Sequence, residues 1–175
     1  MLLLLMKLIS IDIFQTLVDI RPHKEKLWRS FLGKDFSSET AAAGWSLATK
    51  HIFRILEEME AERYFSNLRH VFEMTYRNVF AELNLSVSPA FAAESLIDIH
   101  REAVLFDDTV SFIEDILKRY QICLSSDADE NMVANLTGMF SASNIYLSEN
   151  LKTYKIWKNN NFFSSIIKTE LPKGA

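Results

Sequence analysis

The chain holds a single cysteine, Cys123, in 175 residues. One thiol excludes an internal disulfide and a cysteine metal cluster. Cys123 lies in the apolar run Ile122-Cys-Leu124, the setting of a buried core thiol in a reducing, cytoplasmic environment. Basic excess is also lacking: the net charge is −4 and the pI near 5.6. That argues against a general nucleic-acid binder, which would carry a basic face. No apolar run is long enough for a membrane span. Leu2–Leu5 is preceded by no basic residue, is interrupted by Lys7 and is followed by no small-residue cleavage site, so it does not read as a targeting signal. Met6-Lys7 reads as a natural start, with residues 1–5 an upstream extension. Between Glu39 and Leu85 there is no proline and only one glycine, Gly44, which leaves that stretch free to be helical.

What is present begins with Met6-Lys-Leu-Ile-Ser-Ile-Asp-Ile-Phe-Gln-Thr-Leu-Val-Asp19. The apolar run Leu8–Ile11 ends abruptly on Asp12. An unpaired carboxylate inside a buried strand costs several kcal/mol (~2–7 for uncharged polar groups alone). At the carboxyl end of a strand the same group either caps a turn or stands where open α/β sheets bind ligands. The length fits one domain, or one with an inserted subdomain, and 49% hydrophobic residues can fill a sizeable core.

After Asp19 the period becomes helical. Leu27, Trp28, Phe31 and Leu32 form one stripe; Trp45, Ala48, Ile52, Ile55, Leu56 and Met59 form a second. Leu68, Val71, Phe72, Thr75, Val79 and Leu83 predict a separate helix capped by Ser66. Ser88-Pro89 starts another, running to about Arg101. The cluster Glu57, Glu58, Glu60 and Glu62 reads as a solvated face. His70 and His100 have no second histidine or cysteine at ligand spacing and read as ordinary helix residues. Residues 22–104 are thus expected to be a small helical bundle.

The α/β pattern then resumes. A helix capped by Asp107 or Asp108 has Val110, Ile113, Leu117 and Tyr120 as its expected inner face. The strand Ile122–Leu124 ends on Ser125-Ser126-Asp127, either a turn and cap or an anion site made of hydroxyl and backbone amides. A third strand, Asn144–Leu147, leads to Ser148-Glu149 with Lys152 and Lys155 after it. Right-handed crossovers would gather the three strand ends on one edge of a parallel sheet.

In this arrangement the chain resembles the haloacid dehalogenase (HAD) superfamily of hydrolases, mostly phosphatases. Asp12-Ile-Phe-Gln-Thr-Leu17 resembles the first family motif, Ile122-Cys-Leu-Ser-Ser126-Asp127 the second, and Ser148-Glu-Asn-Leu-Lys-Thr-Tyr-Lys155 the third. The helical block sits where that family carries its cap, and the match covers nearly the whole chain. The resemblance implies a Rossmann-like parallel sheet from residues 1–21 and 105–175, with residues 22–104 as an all-helical cap. It implies Asp12 as nucleophile forming an aspartyl-phosphate, Ser126 bonding a phosphoryl oxygen, and Lys155 neutralising charge. It further implies Thr16 and Asp127 on the substrate, and Mg²⁺ on the Asp12 carboxylate and the Phe14 carbonyl. The expected substrate is a small phosphorylated metabolite, with no nucleic acid or membrane as partner.

The departures from the family pattern are equally specific. Phe14 stands where many such phosphatases have a general acid, help typically worth ~100- to 10,000-fold. Gln15 stands where glycine or aspartate is usual. The fourth motif, a Gly-Asp strand supplying further Mg²⁺ ligands, is absent, and Leu171–Ala175 falls where that strand should begin. Two like-charge pairs at ~4 Å cost about 4 kcal/mol each at an effective dielectric of ~20, so attack on a phosphate without the metal is impaired. Three readings remain open: a phosphatase impaired by truncation, a carbon–halogen hydrolase that tolerates an aromatic at position 14 and needs no metal, and an inactive remnant that binds protein. The Leu8–Ile11 strand is expected at the sheet edge, apolar on both faces and able to support a homo-oligomer.

Overall fold

A computed structural model describes residues 8–136 and 144–171. The expectations for Leu2–Leu5, for the Met6-Lys7 start and for the last four residues lie outside the described residues. Three parallel strands form the sheet: β1 (Leu8–Asp12), β4 (Gln121–Ser126) and β5 (Asn144–Leu147), in the order β1-β4-β5. In the β1–β4 register Ile9 faces Ile122, Ile11 faces Leu124 and Asp12 faces Ser125. Strand side chains alternate between faces. Ile9, Ile11, Ile122 and Leu124 therefore join the main core. Leu8 and Cys123 pack on the other face against Phe162 and Ile166 of α8 (Phe162–Glu170). Cys123 is fully buried, as its apolar run implied. Among the described strands β1 is an edge, with a groove of about 650 Å³ beside it lined by Ile9, Tyr120, Phe163, Ile166 and Ile167.

The expected helices are present. α1 (Arg21–Leu32) has proline in its first turn and buries Leu27, Trp28 and Phe31. α2 (Ser38–Glu62) starts at a reciprocal cap in which Ser37 accepts from the Thr40 amide and Thr40 accepts from the Ser37 amide. Gly44 on α2 is required by a close approach: the Trp28 ring fills the space that a Cβ there would occupy. α3 (Leu68–Glu82) and α4 (Pro89–Arg101) complete the block, α4 with Ser88 accepting from Phe91 as expected. The cap of α3 differs from expectation. Asn67, not Ser66, accepts from the His70 amide, while the Ser66 carbonyl accepts from Tyr154 Oη at 2.7 Å.

Two short strands went unforeseen. β2 (Val18–Asp19) pairs antiparallel with β3 (Val104–Leu105), so the chain enters and leaves the helical block side by side. Thr109, buried at the start of α5 (Thr109–Leu117), donates to the Leu17 carbonyl at 2.7 Å beneath this ribbon. The inner face of α5 also needs correction. Ile113, Ile116 and Tyr120 pack on the core, whereas Val110 and Leu117 are exposed. Short helices α6 (Glu130–Val133) and α7 (Ser148–Leu151) follow β4 and β5. No helix among the described residues is long and apolar enough to cross a membrane.

The block is also fastened to the sheet side by hydrogen bonds. Both oxygens of the buried Asp129 carboxylate accept from the first amides of α3, Leu68 at 2.7 Å and Arg69 at 2.8 Å. Trp157 Nε1 donates to the Leu56 carbonyl at 2.9 Å and Arg101 Nε to the Asn131 carbonyl at 3.0 Å.

Candidate active site

Asp12 closes β1 at its carboxyl end, and the chain turns at once. Val18 N–H and Leu17 N–H both donate to the Ile13 carbonyl, and Gln15 N–H donates to Val18 O at 2.7 Å. Gln15 holds φ +63°, the left-handed region that glycine adopts most easily. This turn returns Thr16 to the strand end, where its hydroxyl donates to Asp12 Oδ2 at 3.2 Å.

Lys155 arrives from the far side of the sheet. α7 ends on Lys152 at φ +53°, and Tyr154, fully buried, anchors the segment. The Lys155 ammonium donates to Asp12 Oδ1 and to the Ser125 carbonyl at 3.3 Å. Its backbone amide donates to Asp127 Oδ1 at 2.8 Å. Burial pushes the Asp127 carboxyl up, opposed by that amide bond and by the Lys155 charge, while the Asp12 charge adds to the rise. Asp12, Thr16, Asp127 and Lys155 thus stand together with the Ser125 carbonyl. Ser126 is the last residue of β4 and buried, but no hydrogen bond among the described residues ties it to the others.

For Mg²⁺ the donors on hand are the Asp12 carboxylate and the Phe14 carbonyl, the latter with no hydrogen-bond partner among the described residues. One Asp12 oxygen is taken by Lys155 and one Asp127 oxygen by the Lys155 amide. Among the described residues no group of three or more His, Cys, Asp or Glu side chains could hold a metal. Mg²⁺ favours octahedral oxygen coordination with one or two carboxylates. The described residues alone do not complete such a site.

The helical block reaches Phe14 through a contact that sequence reasoning missed. His100, near the end of α4, sets its ring edge-on to Phe14 at 4.7 Å between centroids and stacks on Phe72 at 6.1 Å. Its Nδ1 lies 2.7 Å from the Leu96 carbonyl, which can only accept, so Nδ1 carries the proton. Burial pulls its pKa down to about 4, so the ring is neutral at physiological pH. Lys24 on α1 places its ammonium 4.2 Å from the centroid of the Trp45 ring. Asp19, the nearby carboxylate, is already held by Arg21 through both oxygens at 2.8 to 3.0 Å. That bond holds the Asp19 carboxyl down at about 2. The only signals in the sequence were a histidine four residues after Leu96 and a lysine in the first turns of α1, and neither is specific.

Comparison with solved structures places this architecture. The chain superimposes on the HAD-hydrolase YfnB of Bacillus subtilis, determined with magnesium bound, with a TM-score of 0.71 and 12% identity, covering 97% of this chain and 74% of that one. The L-2-haloacid dehalogenase RSc1362 gives 0.71 and 15%, covering 94% and 72%. The L-2-haloacid dehalogenase of Xanthobacter autotrophicus gives 0.70 and 13%, covering 95% and 65%. No family model matches the chain, and no curated relative matches it in sequence. At such identities the likeness is one of fold: the chain has the HAD-like α/β fold, with a parallel sheet and a helical block between its first two sheet strands.

Proposed function

We propose that this HAD-fold chain is a hydrolase in which the Asp12 carboxylate attacks a small substrate and forms a covalent aspartyl intermediate that water then cleaves. The observation that carries this reading is the seating of Asp12 at the end of β1, with Thr16 on one oxygen and Lys155 on the other. A nucleophile must be presented in a fixed orientation, and two donors on two oxygens achieve that. In the phosphatase reading, an Asp12 oxygen bonds to phosphorus as the phosphorus–oxygen bond to the leaving group breaks. The leaving oxygen takes a proton from solvent, because Phe14 has none to give. Water then attacks the acyl phosphate, releasing phosphate and restoring Asp12. Lys155 offsets charge throughout and the Ser126 hydroxyl bonds a phosphoryl oxygen. No step is routed through Mg²⁺, since the described residues do not complete its site.

A second reading is favoured by Phe14, an aromatic two residues after Asp12 whose ring packs on His100. In that reading Asp12 displaces halide from carbon, and water cleaves the resulting carboxylic ester at its carbonyl carbon. A neutral carbon electrophile escapes the like-charge cost of a phosphate dianion. Phosphate release from p-nitrophenyl phosphate with and without Mg²⁺, measured beside chloride release from 2-chloropropionate, separates the readings. Asp12→Asn should abolish whichever product is seen. If neither product forms, or if Asp12→Asn turns over normally, the hydrolase reading is wrong.

A further inference from the structure

The backbone of Lys155 is tied down on both sides of the residue. Its amide donates to Asp127 Oδ1 at 2.8 Å, and its carbonyl accepts from Asn160 Nδ2 at 3.0 Å. The aromatic residues that flank it cross to the helical block. Tyr154, fully buried, donates its hydroxyl to the Ser66 carbonyl at 2.7 Å, and Trp157 donates Nε1 to the Leu56 carbonyl at 2.9 Å. The Tyr154 ring packs on Phe65 and on Trp157, each 5.2 Å away between centroids. Burial pushes the Tyr154 phenol up, and the charges of Asp129, Asp127 and Glu149 add to the rise, so the hydroxyl keeps its proton and stays a donor. A lysine side chain is long and flexible, and ordering it on one partner is entropically costly. Fixing its backbone narrows the positions that the ammonium can take. Packing alone would be met by phenylalanine at position 154. The hydroxyl adds a bond that packing does not require, to a carbonyl 88 residues away in sequence.

The geometry points to Tyr154 as a positioning residue of the candidate site: by tying the residue before Lys155 to Ser66, its hydroxyl keeps the Lys155 ammonium on Asp12. Asp12 is delivered by the sheet, and Lys155 by a segment fastened to the helical block. The block therefore contributes to this pairing through two of its own carbonyls. Tyr154 acts only through Lys155. Its catalytic meaning rests on the reading of Asp12 as nucleophile, but its test needs no turnover.

The reactivity of the Lys155 amine provides the readout. The full chain is trace-labelled with acetic anhydride, and peptide mass spectrometry gives the rate at Lys155 relative to the exposed Lys34 and Lys50. Held by Asp12 and the Ser125 carbonyl, Lys155 should react more slowly than either reference. Asp12→Asn should raise its rate about tenfold, the scale of a charge-assisted bond. Tyr154→Phe, which keeps the ring, should raise it about fivefold, the scale of one neutral hydrogen bond. In the Asp12→Asn background the same change should add less than about twofold, because the contact through which Tyr154 acts is already gone. Tyr154→para-aminophenylalanine restores a donor and should return the rate to near that of wild type. Gly44→Ala loosens the block from within and should leave the Lys155 rate unchanged. Circular dichroism melts check that each variant folds. Equal rates in wild type and Asp12→Asn overturn the proposal. So does a Tyr154→Phe effect of equal size in both backgrounds, a Tyr154→Phe rate within about twofold of wild type, no rescue by the amino analogue, or a matching rise in Gly44→Ala. A failed assay for phosphate and chloride release with the labelling pattern intact would instead overturn the hydrolase reading alone.

Discussion

Replacing Asp129 by alanine should both destabilise the protein and loosen the helical block from the sheet. The carboxylate is 2% exposed and accepts from Leu68 N at 2.7 Å and Arg69 N at 2.8 Å. Hydrogen bonds to a charged group contribute about 1.5–3 kcal/mol each, and a buried donor left unpaired costs about 1–3. The positive end of α3 adds to the attraction. Against this, burial pushes the Asp129 carboxyl up despite the two amides that pull it down, so the full sum of two bonds is not realised. The net loss for Asp129→Ala is therefore about 2–4 kcal/mol. At roughly 2–4 °C per kcal/mol for a chain of this size, the melting temperature should fall by roughly 5–15 °C. Asp129→Asn should fall between, because one amide keeps an oxygen acceptor while the other meets an NH₂. Urea melts give the energies, and hydrogen exchange should show the Leu68 and Arg69 amides losing protection first. A loss below about 0.5 kcal/mol with those amides still protected would refute the reasoning, since surface changes alone produce that much.

Four further outcomes can be measured. Gly44→Ala forces a methyl into the Trp28 ring and should cost about 1–3 kcal/mol by thermal melt. Gln15→Gly removes a left-handed non-glycine residue; relief of about 1–2 kcal/mol, less glycine's backbone entropy of about 0.5–1, should leave a small gain in stability. His100, held near pKa 4 against an unfolded value of 6.5, resists protonation in the folded state. Its contribution is full above pH 6.5 and lost as pH falls toward 4, by up to about 3 kcal/mol, and His100→Asn should flatten that part of the urea-stability profile. The exposed β1 edge with its apolar groove should drive concentration-dependent self-association, and sedimentation velocity showing a monomer over a wide concentration range would discount it.

Strands and helices were legible because their apolar periods are strong: Leu8–Ile11 and Ile122–Leu124 are short runs that end on polar residues, and α2 repeats every three to four. Asp12 and Lys155 could be paired in advance only through the motif order, and the structure does bring them into contact. The misses have local causes. Ser66 and Asn67 are both good caps, and the choice falls to Asn67 while the Ser66 carbonyl serves Tyr154, 88 residues away in sequence. α5 carries a wide apolar arc running from Phe112 through Ile116 and Ile113 to Leu117 and Val110, opposite Ser111, Glu114 and Asp115, so its period could not say that Ile116 rather than Val110 packs on the core. The β2–β3 ribbon is two residues per strand and leaves no periodic trace. Phe14 and His100 meet only after α4 has packed, and nothing in the linear order brings them together.

The ribbon of Val18–Asp19 with Val104–Leu105 makes the helical block an insertion whose two ends touch. Directly opposed residues in such a pair lie roughly 5 Å apart at Cα, a gap that a tight turn spans. Swapping the intervening stretch of roughly 80 residues for a turn of about four would shorten the loop about twentyfold and lower its closure cost by about 2.7 kcal/mol. The sheet side could therefore be closed without the block by joining Asp19 to Val104 through a short turn. The same geometry makes these two crossing segments the covalent links between the block and the sheet side, beside the hydrogen bonds of Asp129, Trp157 and Arg101. The crossing lies next to Leu17, whose carbonyl accepts from both the Phe106 amide and the Thr109 hydroxyl, tying the ribbon to the start of α5. The turn from Ile13 to Val18 that follows Asp12 thus runs straight into the ribbon, so a replacement turn joining Asp19 to Val104 would leave the nucleophile's own turn and its Leu17 anchor in place.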